Sequence, residues 1–266
     1  MGFIGHLLEL RDRVMRSVLV IIVIFIVIIA ADMQNDIYHL LSMPLTSSMI
    51  EGDSMIATGV ITVFLTPIKL AFILSIFAAF PYLVYQAWGF IAPGLYKHEK
   101  KLAVPLIVSS AILFYAGIAF AYLVVMPNVF TFMRAIGIDG VNYAPDITLY
   151  LDFSLKMFFA FGIAFEVPIA TILLVLSGIT TAQSLAEKRP YIIVGAFIFG
   201  MLLTPPDPLS QAMLAIPVWL LFEVGLLFSR VIKKKDSDEE GWQAMSDDDM
   251  ESELDRIESE DDDSVK

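Results

Sequence analysis

The 266-residue chain contains no cysteine, which excludes a disulfide framework, a thiolate metal site and a cysteine nucleophile. Histidine is scarce as well: His6, His39 and His98 are the only three. They lie far apart, without the paired spacing that a zinc or haem site inside a bundle needs. No HExxH, GxSxG or phosphate-binding loop occurs, so metalloprotease, serine-hydrolase and nucleotide-hydrolysing chemistry lack their residues. No cofactor is implied, and an enzyme is not expected. Alternating apolar and polar stretches are missing too, which argues against strands. No internal repeat is visible.

What the chain has is apolar length. Hydrophobic residues make up 58% of it, above the roughly 45 to 50% of soluble domains, so an all-α integral membrane protein is expected. A hydrocarbon core about 30 Å thick takes ~20 helical residues. The apolar stretches supply six candidate spans, at about 14–31, 66–90, 103–126, 152–176, 190–205 and 209–229. The first follows Arg11, Arg13 and Arg16 but is longer than a signal-peptide core, and further spans follow it, so it is expected to remain in the mature protein. The fifth is short: Tyr191 to Leu203 is strictly apolar over 13 residues, about 20 Å of helix. Either neighbours shield its ends or the bilayer thins beside it. Pro81, Pro105, Pro168, Pro190 and Pro217 lie in or beside the spans, and each tends to bend its helix and make the bundle concave.

The formal charge of -12 is misleading, because residues 236–266 hold 15 of the 29 acids and only Arg256 and Lys266 among the bases. That segment has no apolar face to bury and is expected to be a disordered acidic tail on a membrane domain of residues 1–235. In the domain, Arg11, Arg13, Arg16, Lys97, Lys100, Lys101, Lys188, Arg189, Arg230 and Lys233 to Lys235 fall on one side. The other loops hold Arg134, with Lys69 and Lys156 just inside helix ends, so both termini are expected in the cytoplasm. On the outer side, "DIYHLLSMPL" (36–45) places Ile37, Leu40, Leu41 and Leu45 at helical spacing and is expected to cap the bundle.

In a body close to neutral, the positions of its acids are informative. Glu9 precedes Arg13 by four residues, so an ion pair along the helix and a ligand-binding carboxylate are both open readings. Glu99 sits among Lys97, Lys100 and Lys101 with no base at helical spacing; it is either a solvated loop acid or a carboxylate kept ionised to accept a guanidinium. Glu166 stands mid-span, two residues before Pro168, where a charge costs about 2.5 to 3.5 kcal/mol on insertion scales. It must face protein or water, as a structural hydrogen bond or a transport contact. Asp207 lies in "TPPDPLSQ" between spans five and six. Glu223, nearer a helix end, reads as structural.

Several motifs, in order and at matching spacing, carry a resemblance: "HLLELRDR", "FLTPIKL", "YQAWGFIAPGLYKHEKK", "FAFGIAFEVP", "KRPY" and "GMLLTPPDPLSQ". Over residues 5–232 the chain resembles the TatC family of the twin-arginine protein translocase. The resemblance implies a concave six-helix receptor in the bacterial inner membrane, driven by the proton-motive force, with TatA and TatB subunits, other TatC copies and the lipid bilayer as partners, and no nucleic acid. It implies that Glu9 and Glu99 bind the arginine pair of a twin-arginine signal peptide on folded cargo, with Leu10, Arg11, Phe90, Pro93, Leu95, Tyr96, Lys97 and His98 on the same surface. It further implies that Glu166 faces the cavity, that Met201, Leu202, Thr204 and Gln211 receive partner helices, and that Pro44 and Asp207 are sensitive outer positions. A proton-coupled secondary transporter using Glu166 is the rival expectation, although such proteins usually show repeated halves; a structural assembly scaffold is the third.

Overall fold

A computed structural model describes residues 3–47, 49, 55–91, 103–135, 144–203 and 208–240. Among them the structure is helical: α1 Phe3–Ala30, α2 Met33–Thr46, α3 Val60–Ile91, α4 Ala103–Phe120, α5 Met126–Ala135, α6 Ile147–Ala164, α7 Val167–Leu176, α8 Ala182–Glu187, α9 Arg189–Leu203 and α10 Pro208–Glu240. A π-helical turn at Ala121–Val125 joins α4 to α5 without a break. Within apolar lipid such helices bond every backbone group internally, which is why these sequences take no other form.

Among the described residues five stretches are long and apolar enough to cross a bilayer: Gly5–Ala30, Val60–Phe90, Val104–Ala135, Ile147–Leu176 and Gln211–Val231. Arg189–Met201 is apolar but shorter, as the sequence led us to expect of the fifth span. The helices outrun the apolar runs read from the sequence. α3 begins six residues before the expected start at 66, and the third span continues through α5 to Ala135 rather than stopping at 126. α10 likewise runs to Glu240, five residues into the stretch expected to lack structure. No Gly or Pro occurs between Gly225 and Gly241 to end that helix earlier. Residues 241–266 lie outside the described residues.

The prolines act less uniformly than expected. Pro105 and Pro190 fall in the first turn of α4 and α9, where the missing N–H has no intrahelical partner to lose. Pro81 and Pro217 lie inside continuous helices. Pro168 does interrupt its span: α6 stops at Ala164, and Phe165 and Glu166 form the turn before α7. Residues 36–45 are helical as read, within α2, with Leu41 and Leu45 buried and Leu40 exposed.

The main core gathers where α3, α4, the π turn, α5 and α6 meet α2. Phe114 is fully buried, stacked on Phe80 at 3.5 Å and edge-on to Phe77 at 5.8 Å. Phe158, Phe161 and Met157 of α6 and Leu214 of α10 extend this core. On the other side of Glu166, α10 closes against α7 at Gly225. A Cβ there would stand 2.6 Å from Pro168 Cα, so only glycine admits the approach.

Candidate functional site

α1 and α3 run antiparallel side by side. His6 stacks on Phe90 at 4.2 Å, Arg13 reaches Gln86, and Phe25 meets Phe72 edge-on. The start of α1 is thereby set against the end of α3. There the Arg13 Nε and Nη2 groups both donate to Glu9 Oε1, at 3.0 and 2.6 Å. Arg13 Nη1 donates to Gln86 Oε1 at 3.3 Å, and Gln86 Nε2 to the Tyr82 hydroxyl at 2.5 Å. Gly89 leaves the guanidinium its room, since a Cβ would come within 2.8 Å of Arg13 Cζ. The ion-pair reading of Glu9 therefore holds, yet it uses one oxygen only. Among the described residues Glu9 Oε2 accepts no hydrogen bond, and the pair is only about three-quarters covered, with side-chain exposures of 25% and 26%.

Of the other residues assigned to this surface, Phe90 lies in the cluster through its stack on His6. Leu10 is exposed, and Arg11 turns to its neighbour Asp12 at 2.8 Å. Pro93, Leu95, Tyr96, Lys97, His98 and Glu99 lie outside the described residues, in the chain that continues from α3.

Glu166 occupies the N-cap position of α7, in the turn that Pro168 imposes. Ser110 Oγ of α4 donates to Glu166 Oε2 at 2.5 Å. Glu166 Oε1 is buried and has no hydrogen-bond partner among the described residues. The carboxyl group is thus half satisfied inside the bundle, an arrangement that leaves one acceptor for an incoming donor.

α9 and α10 form a hairpin in which a Cβ on Gly200 would meet Gln211 Cα at 3.7 Å. Tyr191, Val194, Ile198 and Met201 are exposed along one helical face of α9. Gln211 is half-buried, and Leu202 belongs to α9. Thr204 and Asp207 lie outside the described residues. At the opposite end of the hairpin Arg189 grips Glu223 with both prongs, at 2.5 and 2.8 Å, the structural role expected for Glu223.

Pro44 is buried in α2. Its missing N–H frees the Leu40 carbonyl, and the Tyr122 hydroxyl donates there at 2.8 Å. The Tyr150 hydroxyl binds the neighbouring Leu41 carbonyl. Asp146, which the sequence reading passed over, ties two segments: it caps α6 through Thr148 N at 2.8 Å and Leu149 N at 3.2 Å. It also accepts from Thr58 N at 2.9 Å and Thr58 Oγ1 at 2.5 Å. These donors hold its carboxyl well below the usual carboxylate range, the Thr58 hydroxyl foremost. An aspartate directly before an apolar run is a helix-start signal, so the capping half was readable and the Thr58 half was not.

Residues 5–217 match the family model described as Sec-independent protein translocase protein (TatC). The chain is 55% identical over 235 residues to the Sec-independent protein translocase protein TatC of Haemophilus influenzae, covering 88% of this chain and 91% of that one. It is 52% identical over 227 residues to the Escherichia coli K12 protein of the same name, covering 85% and 87%. A solved structure described as the twin-arginine translocase receptor TatC superposes with a TM-score of 0.75 at 32% identity, over 85% of this chain and 98% of that one.

Proposed function

The chain belongs to the TatC family of Sec-independent protein translocase proteins, and from that premise we propose that it is the signal-peptide receptor of a twin-arginine translocase in a bacterial inner membrane. Membership makes it a multi-pass component of a protein translocase. The finer reading is that both termini face the cytoplasm, as the lysine and arginine distribution supports, and that the proton-motive force drives transport.

The observation that carries the receptor reading is Glu9 Oε2, which accepts no hydrogen bond among the described residues, one turn from His6 and its stack on Phe90; Glu99 follows nine residues after Phe90 in the sequence. A carboxylate oriented through one oxygen presents the other to an incoming guanidinium. Glu99 supplies the second acid for the second arginine. Arginine suits such acceptors better than lysine because its planar fork makes charge-assisted bonds in fixed directions. Beyond capture, the open Oε1 of Glu166 offers the signal or a partner helix one polar contact deep in the bundle. The exposed face of α9 ending at Met201, with Leu202, Thr204 and Gln211 close in sequence, is where TatA and TatB helices would dock. Pro44 and Asp207 belong to the outer rim of the same assembly.

The test is binding of fluorescent peptides to the purified full-length protein in nanodiscs. An Arg-Arg peptide is expected to bind more tightly than its Lys-Lys counterpart. Glu9→Ala and Glu99→Ala should each weaken binding while leaving the thermal melt unchanged. Equal affinity for the two peptides, or undiminished binding in both variants, overturns the reading.

A further inference from the structure

α3 and α6 lie parallel near their outer ends. Thr66 Oγ1 is 3.3 Å from Thr148 Oγ1, and Lys69 Nζ donates to Asp152 Oδ1 at 2.5 Å. Beside these pairs the helices leave a half-open groove with a volume of about 220 Å³. Five apolar side chains line it, Ile76, Phe77 and Phe159 among them, together with Lys69, Asp152 and Lys156.

The charges do not balance. Asp152 is engaged by Lys69, while Lys156 is exposed at the surface of the bundle and makes no hydrogen bond or ion pair with any described residue. Its depth makes that significant. Lys156 stands nine residues beyond the start of α6 at Ile147, about 14 Å along the axis at 1.5 Å per residue. The Ile147–Leu176 span has 30 residues and is therefore about 45 Å long, roughly 15 Å more than the hydrocarbon. Centred in the bilayer, it carries the Lys156 backbone roughly 6 Å below the headgroup boundary. The side chain must extend upward along the groove to reach polar surroundings.

We propose that this groove binds one anionic phospholipid of the outer leaflet, its phosphodiester on the Lys156 ammonium and a segment of one acyl chain in the groove. The uncompensated positive charge selects a lipid with net negative charge over a zwitterionic one. The apolar lining and membrane depth select a lipid over a hydrated free phosphate. Lys69 stands beside the headgroup, kept by Asp152 from adding a second full charge. The site lies apart from Glu9, Glu166 and α9, so it stands or falls separately from the receptor reading.

The experiment uses the full-length protein in phosphatidylcholine nanodiscs containing a small fraction of phosphatidylglycerol with a diazirine on its acyl chain. After irradiation, adducts are expected on peptides spanning Ile73–Phe77 and Leu155–Phe159. Unlabelled phosphatidylglycerol should compete, whereas added phosphatidylcholine and inorganic phosphate should not. Lys156→Gln should lower labelling about fivefold, the worth of one basic side chain near an anionic surface, and Lys156→Arg should retain it. Equal labelling by a phosphatidylcholine probe, competition by inorganic phosphate, or full labelling of Lys156→Gln overturns the proposal. The competition arms use the unaltered protein, so they decide the matter even where a variant folds poorly.

Discussion

The Tyr115 hydroxyl donates at 3.0 Å to the Phe77 carbonyl, the acceptor that Pro81, four residues further along α3, has no N–H to reach. Tyr122, two turns beyond Tyr115, does the same for the Leu40 carbonyl freed by Pro44. Two prolines on different helices are thus accommodated from one face of the third span. Lipid offers no water to a carbonyl freed inside a span, so at Phe77 the Tyr115 hydroxyl takes the place of the lost helix bond.

Removing a hydroxyl should therefore matter only while its proline is present. Tyr115→Phe is expected to destabilise by about 1 to 3 kcal/mol, the range for a polar group left without its partner. The bond at Tyr122 is more exposed, and its loss should cost less. In a Pro81→Ala background the restored backbone N–H can donate to the Phe77 carbonyl itself, and Tyr115→Phe should become nearly silent. Unfolding in detergent with both single variants and the double variant measures this. Additive effects would show that the tyrosine and the proline are unrelated.

Arg13 both orients Glu9 and competes for it. Pairs at this helical spacing contribute about 0.3 to 0.5 kcal/mol when exposed, so a guanidinium from a peptide has little to displace. Arg13→Gln should tighten binding of an Arg-Arg peptide about twofold, matching that energy, and narrow the margin over Lys-Lys. A fall in affinity would mean that holding the carboxylate in place outweighs competition.

At Gly225 the approach of α10 to Pro168 leaves no room for a methyl group. The nearest obstructing atoms belong to backbone, so they cannot swing aside. Gly225→Ala should cost about 1 to 3 kcal/mol and lower the melting temperature, whereas Gly195→Ala, which meets nothing within 4 Å, should be neutral or mildly stabilising. Equal melting of the two variants would contradict the packing.

Asp146 gives a pH dependence with a definite sign. Its carboxyl is held below the ordinary value of 3.8 by Thr58 and the α6 amides. The stabilisation is therefore fully present above that value and disappears only as pH falls through the lower folded-state one. Amide exchange at Thr148 and Leu149, corrected for intrinsic rate, should stay protected from pH 7 down to about 4. Asp146→Ala should lose protection at every pH in that window. Protection that faded in the unaltered protein near neutrality would place its origin elsewhere.

These pairings also mark what a sequence shows and what it hides. Glu9 and Arg13 share one helix face, so their four-residue spacing announces contact before any fold is known. Pro168 announces the break before α7, because a residue without an N–H cannot continue the ladder. Span length likewise revealed that α9 is short. Contacts between spans leave no such period: nothing in the order of residues aims Ser110 at Glu166, Tyr115 at Phe77 or Lys69 at Asp152. At α10 the turn from apolar to polar residues marked where lipid begins, not where the helix ends; α3 and α5 pass the expected boundaries because residues 60–65 and 127–135 are themselves largely apolar.

Ser110 and Glu166 offer the sharpest test of such a contact. The Ser110 hydroxyl donates to Oε2 while Oε1 lies buried without a partner among the described residues. Ser110→Ala removes the donor seen there, and Glu166→Gln keeps an acceptor oxygen while adding an amide that can donate. Interhelical hydrogen bonds in membranes couple by about 0.6 kcal/mol on average and about 1.7 at most, and a carboxyl acceptor belongs toward the upper end. A double-mutant cycle with Ser110→Ala and Glu166→Leu should return a coupling in that range, while Ser110→Ala with Glu166→Gln should retain a smaller one. If Glu166 also receives a donor from the signal or a partner helix, transport should fall in Glu166→Leu and survive in part in Glu166→Gln. Normal transport by Glu166→Leu, with the coupling intact, would confine Glu166 to holding α4 against the start of α7.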